Sequence, residues 1–194
     1  MKSLLLIIAI SLVIAGIFLA MYLRSRRANG PVIHVENGFE FTVRAPYEKV
    51  FPLFGAHGEQ AWAEGWDPQF LHPQPAGDIE GEVFTVSHGH KQAVWINTAF
   101  DSASGHVQYV YTIPNVQVVR IDIRFRHDDP SATGVKVVYE RTTLTSSFNG
   151  HIREMGKKDS QSAEEWRISI EKCLGVESGE ITNAVPFTPY GLVG

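Results

Sequence analysis

Two histidines that flank one glycine, His88 and His90, are the first candidates for chemistry in this chain of 194 residues. Structural and catalytic zinc sites use at least three protein ligands, and a histidine pair around a turn supplies at most two. The other histidines are scattered, and the single cysteine, Cys173, excludes an intrachain disulfide and a multi-cysteine metal site. We therefore expect no metal and no cofactor, and a solvated hairpin turn at 88–90.

A second candidate is the carboxylate pair Asp122 and Glu140, which falls on two strands that we expect to be neighbours. In that register both carboxylates point outward, toward Arg120 and Arg124, so a surface charge network is favoured over acid–base catalysis. The sequence contains no glycine-rich phosphate loop and no nucleophile elbow. No catalytic residue is therefore assigned.

The strand after Pro114 separates its side chains into a charged set and an apolar set. Burying the four charges of the first set would be very costly, so the apolar set must face the core. That inward set is Val119, Ile121, Ile123 and Phe125. Pairing across the neighbouring turns adds these residues to the inward face: Val107, Tyr109, Tyr111, Ile113, Val135, Val137, Tyr139, Val94, Ile96, Thr98 and Phe100. A slip of one residue would invert any of these sets.

Continuing the inward face past Tyr139 places Arg141 inside, where it could bind a ligand carboxylate through two hydrogen bonds. We favour the alternative, in which Arg141 lies near the strand end and its long side chain reaches solvent. Tyr109, Tyr111 and Tyr139 could be polar contacts in an apolar pocket or ordinary core and rim aromatics.

The elements that position these residues follow one another in a clear order. Residues 39–44 alternate as a half-buried strand, and two short helices follow, one beginning at Pro46 and one over 59–64. Five strands rich in β-branched and aromatic residues come next, over 82–87, 93–101, 106–113, 117–127 and 135–145. The last element is one closing helix that ends near 174, with apolar residues on one face and a capping box at Ser162 and Glu165. This order predicts an α+β fold.

The N-terminal segment is typical of a membrane anchor. Twenty residues, 4–23, carry no charge and give a helix about 30 Å long, which matches the hydrocarbon core of a bilayer. The run is longer than the apolar part of a signal peptide and lacks an A-x-A-like cleavage site. Arg24, Arg26 and Arg27 outnumber Lys2, so the positive-inside rule favours a single-pass protein with its domain on the cytoplasmic side.

The domain boundaries follow from this segment. We assign 1–27 to a transmembrane anchor with a basic flank, 28–36 to a linker, 37–174 to the folded domain and 175–194 to an extended C-terminal tail. The net charge of the whole chain is −4, and since the anchor carries four positive charges, the rest carries −8. An acidic domain repels phosphate backbones, so nucleic acid is excluded as a partner.

The segment Phe41-Thr42-Val43-Arg44-Ala45-Pro46-Tyr47-Glu48-Lys49-Val50-Phe51 resembles the strand-to-helix opening of the START and birch-pollen-allergen superfamily, also called SRPBCC. Trp62 to Pro68 and Trp166 to Leu174 resemble its tryptophan-containing stretch and its closing helix. The resemblance covers about 37–174 and points to the polyketide cyclase/dehydrase-like branch. It implies a helix-grip fold: a curved antiparallel β-sheet wrapped around a long C-terminal helix, with a pocket for a lipid, sterol or polyketide. The superfamily has no shared catalytic signature, so no catalytic residue is carried over.

The leading hypothesis is a membrane-tethered binding module for a hydrophobic small molecule or lipid held in a cavity of a few hundred Å³, the usual scale of ligand pockets. The alternative is a cyclase or dehydratase-type enzyme that uses an inward tyrosine or arginine, and a third possibility is an interaction module with a filled pocket. An enzyme is the less favoured reading, and the oligomeric state is left open. The expected ligand-binding residues are Trp66, Ile96, Phe100, Tyr109, Tyr111, Ile121, Tyr139, Arg141 and Trp166.

Overall fold

The structure is a computed structural model that describes residues 13–23, 30–89 and 91–176. Seven strands among these residues form one sheet in which every neighbouring pair is antiparallel. They are β1 (His34–Val43), β2 (Gln69–His72), β3 (Val83–His88), β4 (Lys91–Asp101), β5 (His106–Ile113), β6 (Gln117–Asp129) and β7 (Ala132–Thr143). The spatial order is β1-β7-β6-β5-β4-β3-β2, so the chain crosses from one edge of the sheet to the other between β1 and β2.

The helical elements lie in that crossing and after the last strand. Helix α1 (Tyr47–Val50) continues into a 3₁₀ turn (Phe51–Phe54), and a second 3₁₀ turn (Gly58–Ala61) replaces the second short helix that the sequence predicted. A third turn (Ser146–Phe148) leads into α2 (Asn149–Asp159), which is followed by α3 (Ala163–Cys173). Helix α2 packs on β1 and β7, and α3 packs on β1. The predicted α+β fold, a sheet gripping C-terminal helices, is confirmed.

The closing helix differs from the sequence prediction because it is two helices, with a break at 160–162. The predicted capping box is wrong: the Ser162 backbone is helical, and its hydroxyl donates to the Lys158 carbonyl, 3.1 Å away, instead of accepting from a backbone N–H. Gly175 ends α3 at a φ of +69°, in the left-handed region that glycine adopts without strain.

The predicted register of β5, β6 and β7 is confirmed. Ile121 pairs with Tyr109 on one side and with Tyr139 on the other, so these three side chains share the inner face. On the outer face Asp122 accepts a hydrogen bond from Arg124 at 3.0 Å. The outward carboxylates of Asp122 and Glu140 therefore belong to a surface charge network, since Glu140 pairs with Arg120.

The predicted register of β4 is wrong by one residue. Trp95 pairs with Tyr111 on the inner face, whereas Val94 and Ile96 point outward and are 38% and 41% exposed. Both faces of β4 are largely apolar, so alternation alone could not choose between them. A β-bulge between Asn97 and Ala99 then returns Phe100 to the inner face, opposite Val107.

Residues 13–23 are helical. Within the part of the chain that the structure describes, no helix is both long enough and apolar enough to cross a membrane. The remainder of the predicted span, 4–12, and most of the predicted tail, 177–194, lie outside the described residues. The anchor and the tail therefore stay predictions.

Candidate functional site

A cavity of about 280 Å³ lies between the inner face of the sheet, helix α3 and the segment 59–66. Its volume is close to the lower end of the range of about 300–1,000 Å³ that is usual for ligand pockets. The space beneath the closing helix is therefore not filled by the protein's own side chains. The described residues that line it are Glu59, Trp62, Ala63, Glu64, Trp66, Trp95, Tyr109, Ile121, Ile123, Tyr139, Glu165, Trp166 and Ser169.

All four tryptophans of the chain line this one cavity. Trp62 and Trp166 meet edge to face with ring centroids 5.1 Å apart, and Trp66 and Trp95 do so at 5.2 Å. Such T-shaped contacts are among the favoured arrangements of aromatic pairs. The two pairs bring together residues from the 59–66 segment, α3 and β4, so the aromatic wall depends on tertiary packing rather than on one element.

Two of the indoles are held in place by the chain that crosses the sheet. The Trp62 indole N–H donates to the Leu53 carbonyl at 2.7 Å, and the Trp66 indole N–H donates to the Ala56 carbonyl at 2.8 Å. The Leu53 carbonyl lies in the last residues of the first 3₁₀ turn, where carbonyls have no partner within the turn, and Ala56 lies between the two turns. Gly58 is required at the start of the second turn, because a Cβ there would overlap the Pro52 carbonyl oxygen.

Three carboxylates line the cavity. Glu59 is half-buried, whereas Glu64 and Glu165 are exposed and mark the side on which the cavity opens. Burial raises the pKa of the Glu59 carboxyl well above its usual range, and the nearby charge of Asp78 raises it further. Within the described residues no group donates a hydrogen bond to that carboxyl. Glu59 is thus a half-buried carboxyl group in the wall of an aromatic cavity, without a hydrogen-bond partner among the described residues.

The phenols of the inner face are also removed from water. The Tyr109 hydroxyl donates to the Phe54 carbonyl at 2.8 Å, and burial raises the pKa of Tyr109 well above its usual value. Burial likewise raises the pKa of Tyr139. Both side chains are therefore neutral phenols at physiological pH.

Arg141 does not reach solvent, so the favoured sequence interpretation is wrong. The side chain is 2% exposed, and its Nε and Nη2 donate to the two carboxylate oxygens of Asp159, both at 2.8 Å. Its Nη1 donates to the Tyr111 hydroxyl at 2.9 Å, and the guanidinium lies 4.7 Å from the centre of the Tyr139 ring. The inward alternative is correct, but the charge of Arg141 is already neutralised by Asp159.

A second, wider groove of about 510 Å³ lies on the other side of this cluster. Tyr111 and Phe148 line it together with the cationic side chains of Lys91 and Lys158. Because Tyr139 lines the cavity and Tyr111 lines the groove, the buried Arg141 separates an acidic aromatic space from a basic one.

Of the nine residues expected to bind ligand, five line the cavity: Trp66, Tyr109, Ile121, Tyr139 and Trp166. Ile96 lies on the opposite face of the sheet, and Phe100 packs instead on Phe51 with ring centroids 4.8 Å apart. Tyr111 and Arg141 lie behind the cavity wall. The ligand-binding role of all nine stays a prediction.

Sequence reasoning missed Glu59, Trp62 and Trp95 as site residues. Trp95 was missed because the predicted register of β4 placed it on the outer face. The possibility of pairing two aromatic residues, Trp95 and Tyr111, could have indicated the correct register. Glu59 and Trp62 lie on a 3₁₀ turn and just after it, and their place at the cavity is set by the chain crossing, which no local pattern reveals.

No group of three or more histidine, cysteine, aspartate or glutamate side chains suited to hold a metal ion occurs among the described residues. His90 and the side chain of His88 fall outside them, so the histidine pair is not tested.

Solved structures with the same arrangement include norcoclaurine synthase from Thalictrum flavum in complex with dopamine and hydroxybenzaldehyde, which is 11% identical, with a TM-score of 0.56 over 76% of this chain and 91% of that chain. A Thermobifida fusca protein solved by NMR is 15% identical, with a TM-score of 0.54 over 76% of this chain and 99% of that one. An uncharacterised Rhizobium leguminosarum protein is 13% identical, with a TM-score of 0.52 over 73% and 97% of the two chains. No protein-family model and no curated protein sequence matches the chain. At these identities the likeness shows the helix-grip fold alone.

Proposed function

We propose that the domain binds a small hydrophobic molecule in the cavity between the sheet and α3. The observation that carries this proposal is the unfilled space of about 280 Å³ with all four tryptophans in its wall. Ligand pockets are usually concave, largely apolar and lined by aromatic side chains with a few polar groups, which fits this lining. The modest volume favours a ligand smaller than a sterol.

The proposal is tested by native mass spectrometry of the full-length protein extracted in a mild detergent. We expect a bound small molecule in the wild type and its loss in Ala63→Trp, because Ala63 is a small lining residue whose enlargement fills the cavity. Ile96→Trp adds the same indole on the outer face and is the matched control, which should keep the ligand. Equal occupancy in both variants would place the ligand elsewhere and contradict the proposal.

A second candidate function, catalysis of the cyclase or dehydratase type, is favoured by one observation. Glu59 combines a raised pKa with a place in the cavity, which are the properties of a general acid that works near neutral pH. Arg141 is a poorer candidate, since Asp159 already neutralises it. In an enzyme, Glu59→Gln would carry an unconverted substrate, and the wild type would carry a molecule of different mass or of altered bonding.

We also propose that residues 4–23 tether the domain to a membrane, with the domain on the cytoplasmic side. The support is the uncharged run of twenty residues followed by three arginines. The full chain should stay with the membrane pellet in alkaline carbonate, and a chain without 1–27 should be released. Protease added to intact cells tests the orientation. A cytoplasmic domain should be protected, and cleavage would show that the domain lies outside.

A further inference from the structure

We propose that the ligand of this cavity carries a positive charge, as a small amine or quaternary ammonium compound with an apolar body. The inference rests on the proposed binding function and names the class of ligand. It stands on three features: the carboxylates of the lining, its tryptophans, and the lack of a partner for the Glu59 carboxyl among the described residues.

The first feature is the charge of the lining. Glu59, Glu64 and Glu165 come from two separate elements, the 59–66 segment and α3, and converge on one space. Among the described residues that line the cavity there is no lysine, arginine or histidine. Such a lining attracts a cation and repels an anion, and the charge of −8 on the chain after its anchor acts in the same direction.

The second feature is the aromatic wall. A cation within about 6 Å of the face of a tryptophan or tyrosine ring is attracted by the ring quadrupole, and tryptophan is the best of these partners. Rings that meet edge to face, as Trp62 with Trp166 and Trp66 with Trp95, present surfaces in more than one direction around the same space. Several aromatic surfaces around one cavity are the arrangement that recognises quaternary ammonium groups.

The third feature is the lack of an internal counter-charge for Glu59. The buried Arg141 makes two hydrogen bonds to Asp159 and does not line the cavity. On α3, Arg167 pairs with Glu164 and Glu171. Within the described residues the Glu59 carboxyl makes no hydrogen bond or ion pair. A bound ammonium group supplies an opposite charge that stabilises the carboxylate, whereas an anionic ligand is repelled by it.

Three probes that share one benzyl group separate charge from hydrophobicity. Benzyltrimethylammonium is a permanent cation, neopentylbenzene is its neutral carbon isostere, and benzylphosphonate is an anion. Because all four tryptophans line the cavity, intrinsic fluorescence of the full-length protein in nonionic detergent reports binding directly. Ala63→Trp, which fills the cavity, corrects for probe that partitions into the micelle.

We expect the cation to bind at least ten-fold more tightly than the neutral isostere, and the anion to bind most weakly. Glu59→Gln and Glu165→Gln should each weaken the cation several-fold and leave the neutral probe unchanged. If the neutral probe or the anion binds as tightly as the cation, the charge inference is overturned and the binding function stands. If all three probes give the same signal in wild type and in Ala63→Trp, the cavity binds none of them and both proposals fail.

Discussion

Arg141 of β7 and Asp159, the last residue of α2, form a two-pronged ion pair in which both N–O distances are 2.8 Å. The pair ties the sheet to the end of α2. Just after it, Gln161 and Ser162 donate their N–H groups to carbonyls three residues back instead of four, so the α-helix ends there. The third donor of the guanidinium binds the Tyr111 hydroxyl, so the cluster also reaches β5. The buried Arg141 therefore lies both at the break between α2 and α3 and between the cavity and the groove.

Asp159→Asn should destabilise the fold by about 3–5 kcal/mol, because it leaves the guanidinium of Arg141 buried without a counter-charge. Chemical denaturation of the full-length protein measures this as a fall in the free energy of unfolding. Glu140→Gln is the matched control: it breaks the ion pair with Arg120 on the outer face, where a loss of at most about 1 kcal/mol is expected. Equal losses in the two variants would show that Arg141 is not buried as described.

Trp95→Ala and Ile96→Ala test the register of β4. Trp95 is 6% exposed on the inner face, so its truncation should cost about 3–5 kcal/mol through lost burial and a cavity. Ile96 is 41% exposed on the outer face, and a loss within about 0.5–1 kcal/mol is expected there. Thermal and chemical unfolding curves measure both. A larger loss for Ile96→Ala than for Trp95→Ala would restore the register that the sequence predicted.

The pH dependence of stability should carry a contribution from Glu59. Burial raises the pKa of this carboxyl in the folded state, so between its unfolded and folded pKa values the folded chain holds more protons than the unfolded chain. The free energy of unfolding therefore falls as pH rises through the folded pKa. Glu59→Gln should be more stable than wild type at neutral pH.

This advantage of Glu59→Gln should disappear below the ordinary glutamate pKa of about 4.3. Denaturant titrations at a series of pH values measure the difference. A constant difference between wild type and Glu59→Gln across the series would mean that Glu59 does not titrate differently in the folded chain.

The affinity for benzyltrimethylammonium should rise with pH. The probe does not titrate, and a bound cation favours the ionised Glu59 carboxylate, so binding releases a proton while Glu59 of the free protein is still protonated. The other charge that acts on Glu59 is that of Asp78, and Glu59 in turn acts on Tyr109 and Tyr139. Burial raises the pKa of both phenols, so neither ionises near neutral pH.

Fluorescence titrations at several pH values measure this slope. Glu59→Gln should bind the probe with an affinity that changes less with pH than the affinity of the wild type. A flat profile in the wild type, or the same slope in the variant, would sink the assignment of the released proton to Glu59.

The inner face of β5, β6 and β7 could be predicted from sequence because β6 alternates cleanly and its two neighbours pair with it across short turns. On β6 the residues between Ile121 and Phe125 alternate with charges that cannot be buried, and this fixed the pairing of Tyr109 and Tyr139 as well. β4 offered no such contrast, since Val94 and Ile96 are as apolar as the residue between them. Because of the bulge after Asn97, the predicted inward position was wrong for Val94 and Ile96 but correct for Phe100.

The remaining site residues depend on contacts between distant parts of the chain. Asp159 is 18 residues from Arg141, and nothing in the local sequence indicates that the two side chains meet. Glu59 lies in a short turn whose place at the cavity depends on the packing of Trp62 on Trp166 and of Trp66 on Trp95. Burial of a charged residue is a tertiary property, so composition and periodicity could suggest an inward arginine but could not say what neutralises it.

The segment just before β1 is hydrogen-bonded to the end of β7 and to the start of α2. The Asn149 side chain donates to the Pro31 carbonyl at 2.9 Å, and the Ile33 N–H donates to the Thr143 hydroxyl at 2.9 Å. Fully extended, the eight residues from Leu23 to Pro31 span at most about 30 Å. In a chain embedded through 4–23, the corner where α2 begins could therefore never be farther than that from the bilayer surface, which limits how far the domain can tumble on its tether.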